Sequence, residues 1–190
     1  VATQAERAET MRRALLDAGR ELFARHGYAD IGIGEIARRA GATSGAVYHH
    51  FGSKAGLFRA VYDELVASTS MHITAARRSN PSPSLIADCE LYLDACADPA
   101  FFRITAEAPA VIGWDVILDD TQKLIAANLA AAQNDGEISP DLPIATLARM
   151  LAAALKEAGV MIATAPDPVR ARTNASASAR CLIAGLQRTP

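Results

Sequence analysis

The chain has 190 residues, 51% hydrophobic, 21% charged and only 5% aromatic, with a formal net charge of −2. That length suits one large domain, or a small domain joined to a medium one. There is no apolar run long enough for a spanning helix and no apolar signal core near an N-terminus rich in Glu and Arg, so a soluble, cytoplasmic chain is expected.

Many alanines and few Val/Ile/Thr alternations predict an all-α protein. The charge is unevenly spread. Through Arg59 there are nine Lys/Arg against six Asp/Glu, a net +3, and beyond it ten against fifteen, a net −5. A basic first third on an acidic remainder suits a nucleic-acid-binding head on a body with another task.

Thr3-x-x-Glu6 has the form of a capping box and opens the first predicted helix. Met11, Leu15, Ala18 and Leu22, with Phe23 beside them, make its amphipathic stripe, and Gly27 closes it. Ile33, Ile36, Ala37 and Ala40 mark one face of a short second helix. Gly41 breaks it, and Thr43 caps a third, whose inner face carries Val47, Tyr48 and Phe51. Two short helices joined by a glycine-containing turn form the outline of a helix-turn-helix, whose second helix can enter the major groove of DNA.

Ser53 caps a fourth helix that starts at Lys54 and carries Leu57, Phe58, Val61 and Leu65 on to Arg77. The SNPSPS stretch, 79–84, is a linker. Beyond it helices are predicted over 85–96 and 99–107. Pro109 and Gly113 interrupt the next segment, and a long helix follows over 114–133. After the Asn134-Asp135-Gly136 turn come helices over 142–164 and 168–187, each begun by an Asp and a Pro. The count is about nine: a three-helix head, residues 1–52, and a C-terminal ligand-binding and dimerisation domain, 53–190.

Cys89, Cys96 and Cys181 are too few and too odd in number for a disulfide framework. Seven residues apart, Cys89 and Cys96 share a helix face. They read as a redox or metal pair, or as small core residues. With no His near them in sequence, no metal and no cofactor is expected.

The segment from about residue 10 to 60 resembles the tetracycline-repressor (TetR) family of bacterial transcription regulators. The residues that carry the resemblance are Phe23-x-x-x-Gly27-Tyr28, then Ile36-Ala37-x-x-Ala40-Gly41-Ala42-Thr43-x-Gly45-x-Val47-Tyr48-x-His50-Phe51-x-Ser53-Lys54-x-x-Leu57. It covers about a quarter of the chain. On the residues themselves, Gly41 fits a tight turn, and Thr43 caps a helix N-terminus that can approach a phosphate. Gly45 lets the backbone near DNA. Ser44, Ala46 and His49 lie at or near the outer face as base readers. Tyr48 and His50 are expected to reach phosphates, as the resemblance also implies, and Lys54 to clamp one from the other side. The family has Thr or Ser before the second helix where this chain has Ile31-Gly32, which removes one side-chain anchor.

The body carries two further expectations. Ile144, Leu147, Leu151, Leu155, Ala158 and Ile162 form one stripe, and Val169, Ala179, Ile183 and Leu186 another, with small Ala175, Ser176 and Ser178 between. The resemblance implies that these two helices pair with those of a second copy in a homodimer; an intramolecular core explains part of the same stripe. Tyr92, Cys96, Phe101, Phe102, Trp114, Ile117 and Leu118 are expected to line an apolar chamber for a small effector. Glu107 either faces a cationic ligand there, with Trp114 adding a cation–π face, or is a plain helix-end carboxylate.

The expected function is a dimeric, effector-controlled repressor of a palindromic DNA site. Three rivals differ in class. An enzyme would need a nucleophile–base pair or a metal cluster, and the chain displays neither pattern. A non-specific DNA-coating protein is disfavoured by the acidic body. A ligand carrier with a vestigial head would be expected to have lost Gly41, Tyr48 or Lys54, all of which are present.

Overall fold

The structure, a computed structural model, describes residues 3–79 and 84–186. Among these residues run nine α-helices and no strand: α1 (Gln4–His26), α2 (Ile33–Arg39), α3 (Ser44–Phe51), α4 (Lys54–Ser79), α5 (Leu85–Cys96), α6 (Pro99–Ile112), α7 (Trp114–Asn134), α8 (Ile144–Thr164) and α9 (Pro168–Ala184). Of the expected linker, 80–83 lie outside the described residues; Ser79 ends α4, and the Ser84 hydroxyl caps α5. No helix among the described residues is long and apolar enough to cross a membrane. The chain divides into two compact units, one of residues 1–66 and 103–114, the other of 67–102 and 115–190.

In the first unit the capping box forms as expected. Thr3 Oγ1 accepts the Glu6 N–H at 3.2 Å, and the Glu6 carboxylate accepts the Thr3 N–H at 2.6 Å. Leu15, Ala18, Leu22 and Phe23 are buried, and Gly27 ends α1 at φ 88°. Phe23, Tyr28 and Phe58 then form an aromatic triangle with centroids 5.2–5.8 Å apart. Such ring pairs each contribute about 0.5–1.5 kcal/mol beyond their buried area. Ile36, Ala37 and Val47 bury the inner sides of α2 and α3.

One expectation fails here. Pro109 does not interrupt a helix; it sits inside α6, which continues to Ile112. An interior proline costs a free helix about 3 kcal/mol. Ile104 and Ala108, both fully buried, hold this turn in place, and Gly113, at φ 114°, ends it.

In the second unit Leu85, Cys89, Leu93, Leu129, Ile138, Leu151, Leu155, Ile162 and Ile183 share one core. Polar staples surround it. Arg77 near the end of α4 meets Asp88 at 2.8 Å, Asp135 at 3.1 Å and Glu137 at 3.6 Å, while Glu137 also accepts the Leu85 N–H at 2.6 Å. Burial raises the Asp88 carboxyl above its usual range despite Arg77. Glu90 of α5 accepts from the Ser176 hydroxyl and, at 2.8 Å, from Arg180, and it pairs with the Arg172 guanidinium at 2.8 Å, which joins α5 to α9. Cys89 belongs to this core, and Cys96 is buried in the same unit. Burial pushes their thiols to about 12 and about 11, so both stay protonated at neutral pH.

Asp167 caps α9 through the Arg170 N–H at 3.0 Å. Asp141 does not do the same for α8, whose N-cap is Pro143 with no side-chain bond.

Candidate nucleic-acid interface

The outer side of α3 is built by small local devices. Gly41, at φ 65°, makes the turn that a β-carbon would strain. Thr43 stands extended before the helix, and its Oγ1 accepts the Ala46 N–H at 3.3 Å. A cap of this kind is worth about 1 kcal/mol and fixes where the helix begins. Val47 is fully buried, which turns the rest of the helix outward. Thr43, Ser44, Gly45 and His49 are exposed, while Ala46 and His50 are half-buried. Tyr48 is 55% exposed, so it serves the outer surface and not the inner face first read from its spacing.

Lys54 stands at the start of α4, where Ser53 Oγ accepts the Gly56 N–H at 2.9 Å. Its ammonium lies 4.2 Å above the Tyr28 ring, a cation–π contact that places the charge. The corner between α3 and α4 is tight: a β-carbon on Gly56 would stand 2.0 Å from the Phe51 carbonyl oxygen. Gly32 begins α2 without a side-chain cap, so the anchor absent from the sequence is absent here too.

Together these groups offer hydroxyl, imidazole and phenol donors beside an ammonium and a free helix N-terminus. Such a set can hold phosphates and reach base edges.

The residues expected to form an effector chamber are divided between the two units. Tyr92 and Phe101 pack edge to face at 6.3 Å in the second unit, where Cys96, Phe101 and Ile117 are buried and Phe102 and Leu118 half-buried. Glu107 and Trp114 belong to the first unit. Trp114 is 52% exposed, and Glu107 accepts the Tyr28 N–H at 2.7 Å.

The second unit holds a cleft of about 260 Å³ between α4 and α5, lined by Ser68, Thr69, His72, Ile73, Leu91, Asp94 and Ala95. None of these was singled out from the sequence. Their i, i+4 spacings, Ser68 with His72, Thr69 with Ile73 and Leu91 with Ala95, were the available signal.

Leu151, Leu155, Ile162 and Ile183, expected on a dimer surface, are buried within the second unit's own core, and Ala158, Ala179 and Leu186 are half-buried. A periodic stripe looks the same whether it faces its own core or another chain. The exposed large apolar residues of α8 and α9 are Met150, Met161, Val169 and Leu182.

A capped, outward-facing third helix on a compact three-helix head, with a separate helical body, defines a helix-turn-helix DNA-binding regulator. Residues 15–61 match the family of bacterial regulatory proteins named tetR, and residues 83–186 match the tetracyclin repressor-like C-terminal domain. The chain belongs to the TetR family and is a DNA-binding transcriptional regulator.

It is similar to the A-factor receptor protein of Streptomyces griseus, 27% identical over 178 residues, covering 90% of this chain and 60% of that relative. It is also similar to the HTH-type transcriptional repressor BepR of Brucella suis biovar 1 (strain 1330), 29% identical over 166 residues, covering 80% of this chain and 79% of the repressor. Among solved structures, a TetR-family transcriptional regulator from Pectobacterium atrosepticum superposes with a TM-score of 0.82 at 27% identity, over the full length of both chains.

Proposed function

We propose that the protein is a homodimeric, cytoplasmic, one-component repressor that binds a palindromic operator and is released from it by a small effector. In this reading residues 1–52 are the DNA-binding head, and 53–190 hold the effector and the mate. The observation that carries it is the exposed side of α3, where Ser44, Gly45, Tyr48 and His49 stand outward from the fully buried Val47. Ser44, Ala46 and His49 read bases; Thr43, Tyr48, His50 and Lys54 hold phosphates.

The exposed Met150, Met161 and Leu182 of α8 and α9 support a mate at those helices in place of the buried stripe. The cleft between α4 and α5 supports an effector site in the helical body, with Tyr92, Cys96, Phe101, Phe102, Ile117 and Leu118 in the same unit. A relative named as a receptor and another named as a repressor point the same way.

Control follows from α4, which begins in the first unit and ends in the second. An effector that favours one setting of this helix shifts the spacing of the two heads, by no more than its differential affinity for the two settings.

Selection of bound duplexes from a random pool by the purified protein tests the reading. An enriched palindrome is expected, with preference relaxed at particular bases in His49→Ala. Recovery of unenriched sequence, or of nothing, contradicts it and favours a ligand carrier with a vestigial head.

A further inference from the structure

We propose that Glu107, on the second half of α6, is a positioning residue for the contact of Lys54 with DNA phosphate, acting through Tyr28. The inference rests on the reading of Lys54 above and deepens it.

The geometry forms a short relay inside the first unit. Glu107 Oε2 accepts the Tyr28 backbone N–H at 2.7 Å. Its Oε1 lies 2.7 Å from where a β-carbon on Gly27 would stand. The carboxylate therefore fills the room that glycine leaves at the end of α1. The Tyr28 ring, 5.2 Å from Phe58 and 5.8 Å from Phe23, carries the Lys54 ammonium 4.2 Å above its face.

Each link is directional. A hydrogen bond from a backbone N–H to a carboxylate is short and strong, and it fixes the peptide that sets the ring. A cation–π contact holds an ammonium over one face of that ring. Displacing Glu107 displaces the base on which the ammonium rests.

Position matters because a phosphate contact releases a counterion only where the charge meets the backbone. Chain continuity adds a consequence. Residues 99–102 of α6 lie in the second unit and 103–112 in the first, so α6 links the units as α4 does. Phe101, buried in the second unit, and Glu107 sit on one helix.

Simple charge removal and lost positioning predict opposite effects. A carboxylate in a DNA-binding head repels phosphate, so neutralising it for electrostatic reasons alone tightens binding. Removing a support of Lys54 weakens it.

The test is the salt dependence of affinity for a duplex of arbitrary sequence, measured on the full chain and on K54A, E107A, E107D, E107Q and the K54A/E107A double variant. K54A is expected to lower the salt slope by about one. E107A is expected to weaken binding, lower the slope by about one and add nothing further in the double variant. E107Q keeps an acceptor oxygen at the same reach and should retain the native slope. E107D keeps the charge but is one methylene short and should behave as E107A; if alanine fails to fold, the Gln and Asp variants carry the test.

A native slope in E107A or E107D beside a lowered one in K54A overturns the inference alone. So does a loss shared by E107Q, or one that adds to that of K54A. An unchanged slope in K54A overturns the phosphate role of Lys54 and this inference with it.

Discussion

At the residue scale, single atoms decide what can stand at each corner of the head. Gly56 lies inside a helix, where alanine normally gains about 1 kcal/mol over glycine. Its added carbon would meet the Phe51 carbonyl oxygen at 2.0 Å, and that backbone atom cannot swing aside as a side chain could. Gly56→Ala is expected to lose about 2–3 kcal/mol, as overpacking does, and to lower the melting midpoint clearly. An unchanged or higher midpoint in a thermal melt would show that the corner relaxes. Nothing about Gly56 in the sequence marked this contact, because its cause lies five residues back across a turn. Gly41 and Thr43, by contrast, were legible: their conformations are set by their own peptide and the next few residues.

At the scale of elements, most helices were readable and their ends nearly so. Stripes such as Leu15, Ala18 and Leu22 reflect the helical period, and Thr3, Thr43, Ser53 and Asp167 cap as their side chains allow. Pro109 departs from its local propensity to break a helix, because the burial of Ile104 and Ala108 outweighs it.

How helices are stapled together was not legible, since the partners lie far apart in sequence. Glu90 and Ser176 are the clearest case. Burial by itself would raise the Glu90 carboxyl, but the Ser176 hydroxyl, Arg180 and Arg172 outweigh it and hold it below its usual value. Its stabilisation is therefore present above the ordinary carboxylate pKa and is lost as pH falls through the depressed native one. Glu90→Gln should destabilise the protein at pH 7, with the difference shrinking as pH is lowered into the acid range. Denaturant unfolding at several pH values checks this, and a difference independent of pH would remove the ionic account.

At the scale of the whole molecule, the surface of α8 and α9 is the feature that the tertiary structure reassigned. Leu151, Leu155, Ile162 and Ile183 lie in the core, so charging one of them should abolish folding and reveal nothing about assembly. Met161 and Leu182 are 56% and 58% exposed. Met161→Glu and Leu182→Glu are expected to leave helical content unchanged, to convert a dimer into a monomer in light scattering, and to weaken binding to a palindrome more than to a half-site. A native mass in both variants would place the mate elsewhere.

The sequence by itself determined the helical class, the positions of the helices apart from the end of α6, and the outward placement of Ser44 and His49 on α3. These rest on short-range causes: the helical period, caps, glycine turns and a dense run of residues at fixed spacing. The tertiary structure alone decided that Tyr48 is exposed, that Glu107 serves the Tyr28 peptide instead of standing free at a helix end, and which side of the α8 stripe is core. It also decided that a cleft opens beside Ser68, His72 and Asp94. Each depends on which distant segment packs opposite. An apolar or charged side chain carries no mark of its partner until the chain has folded.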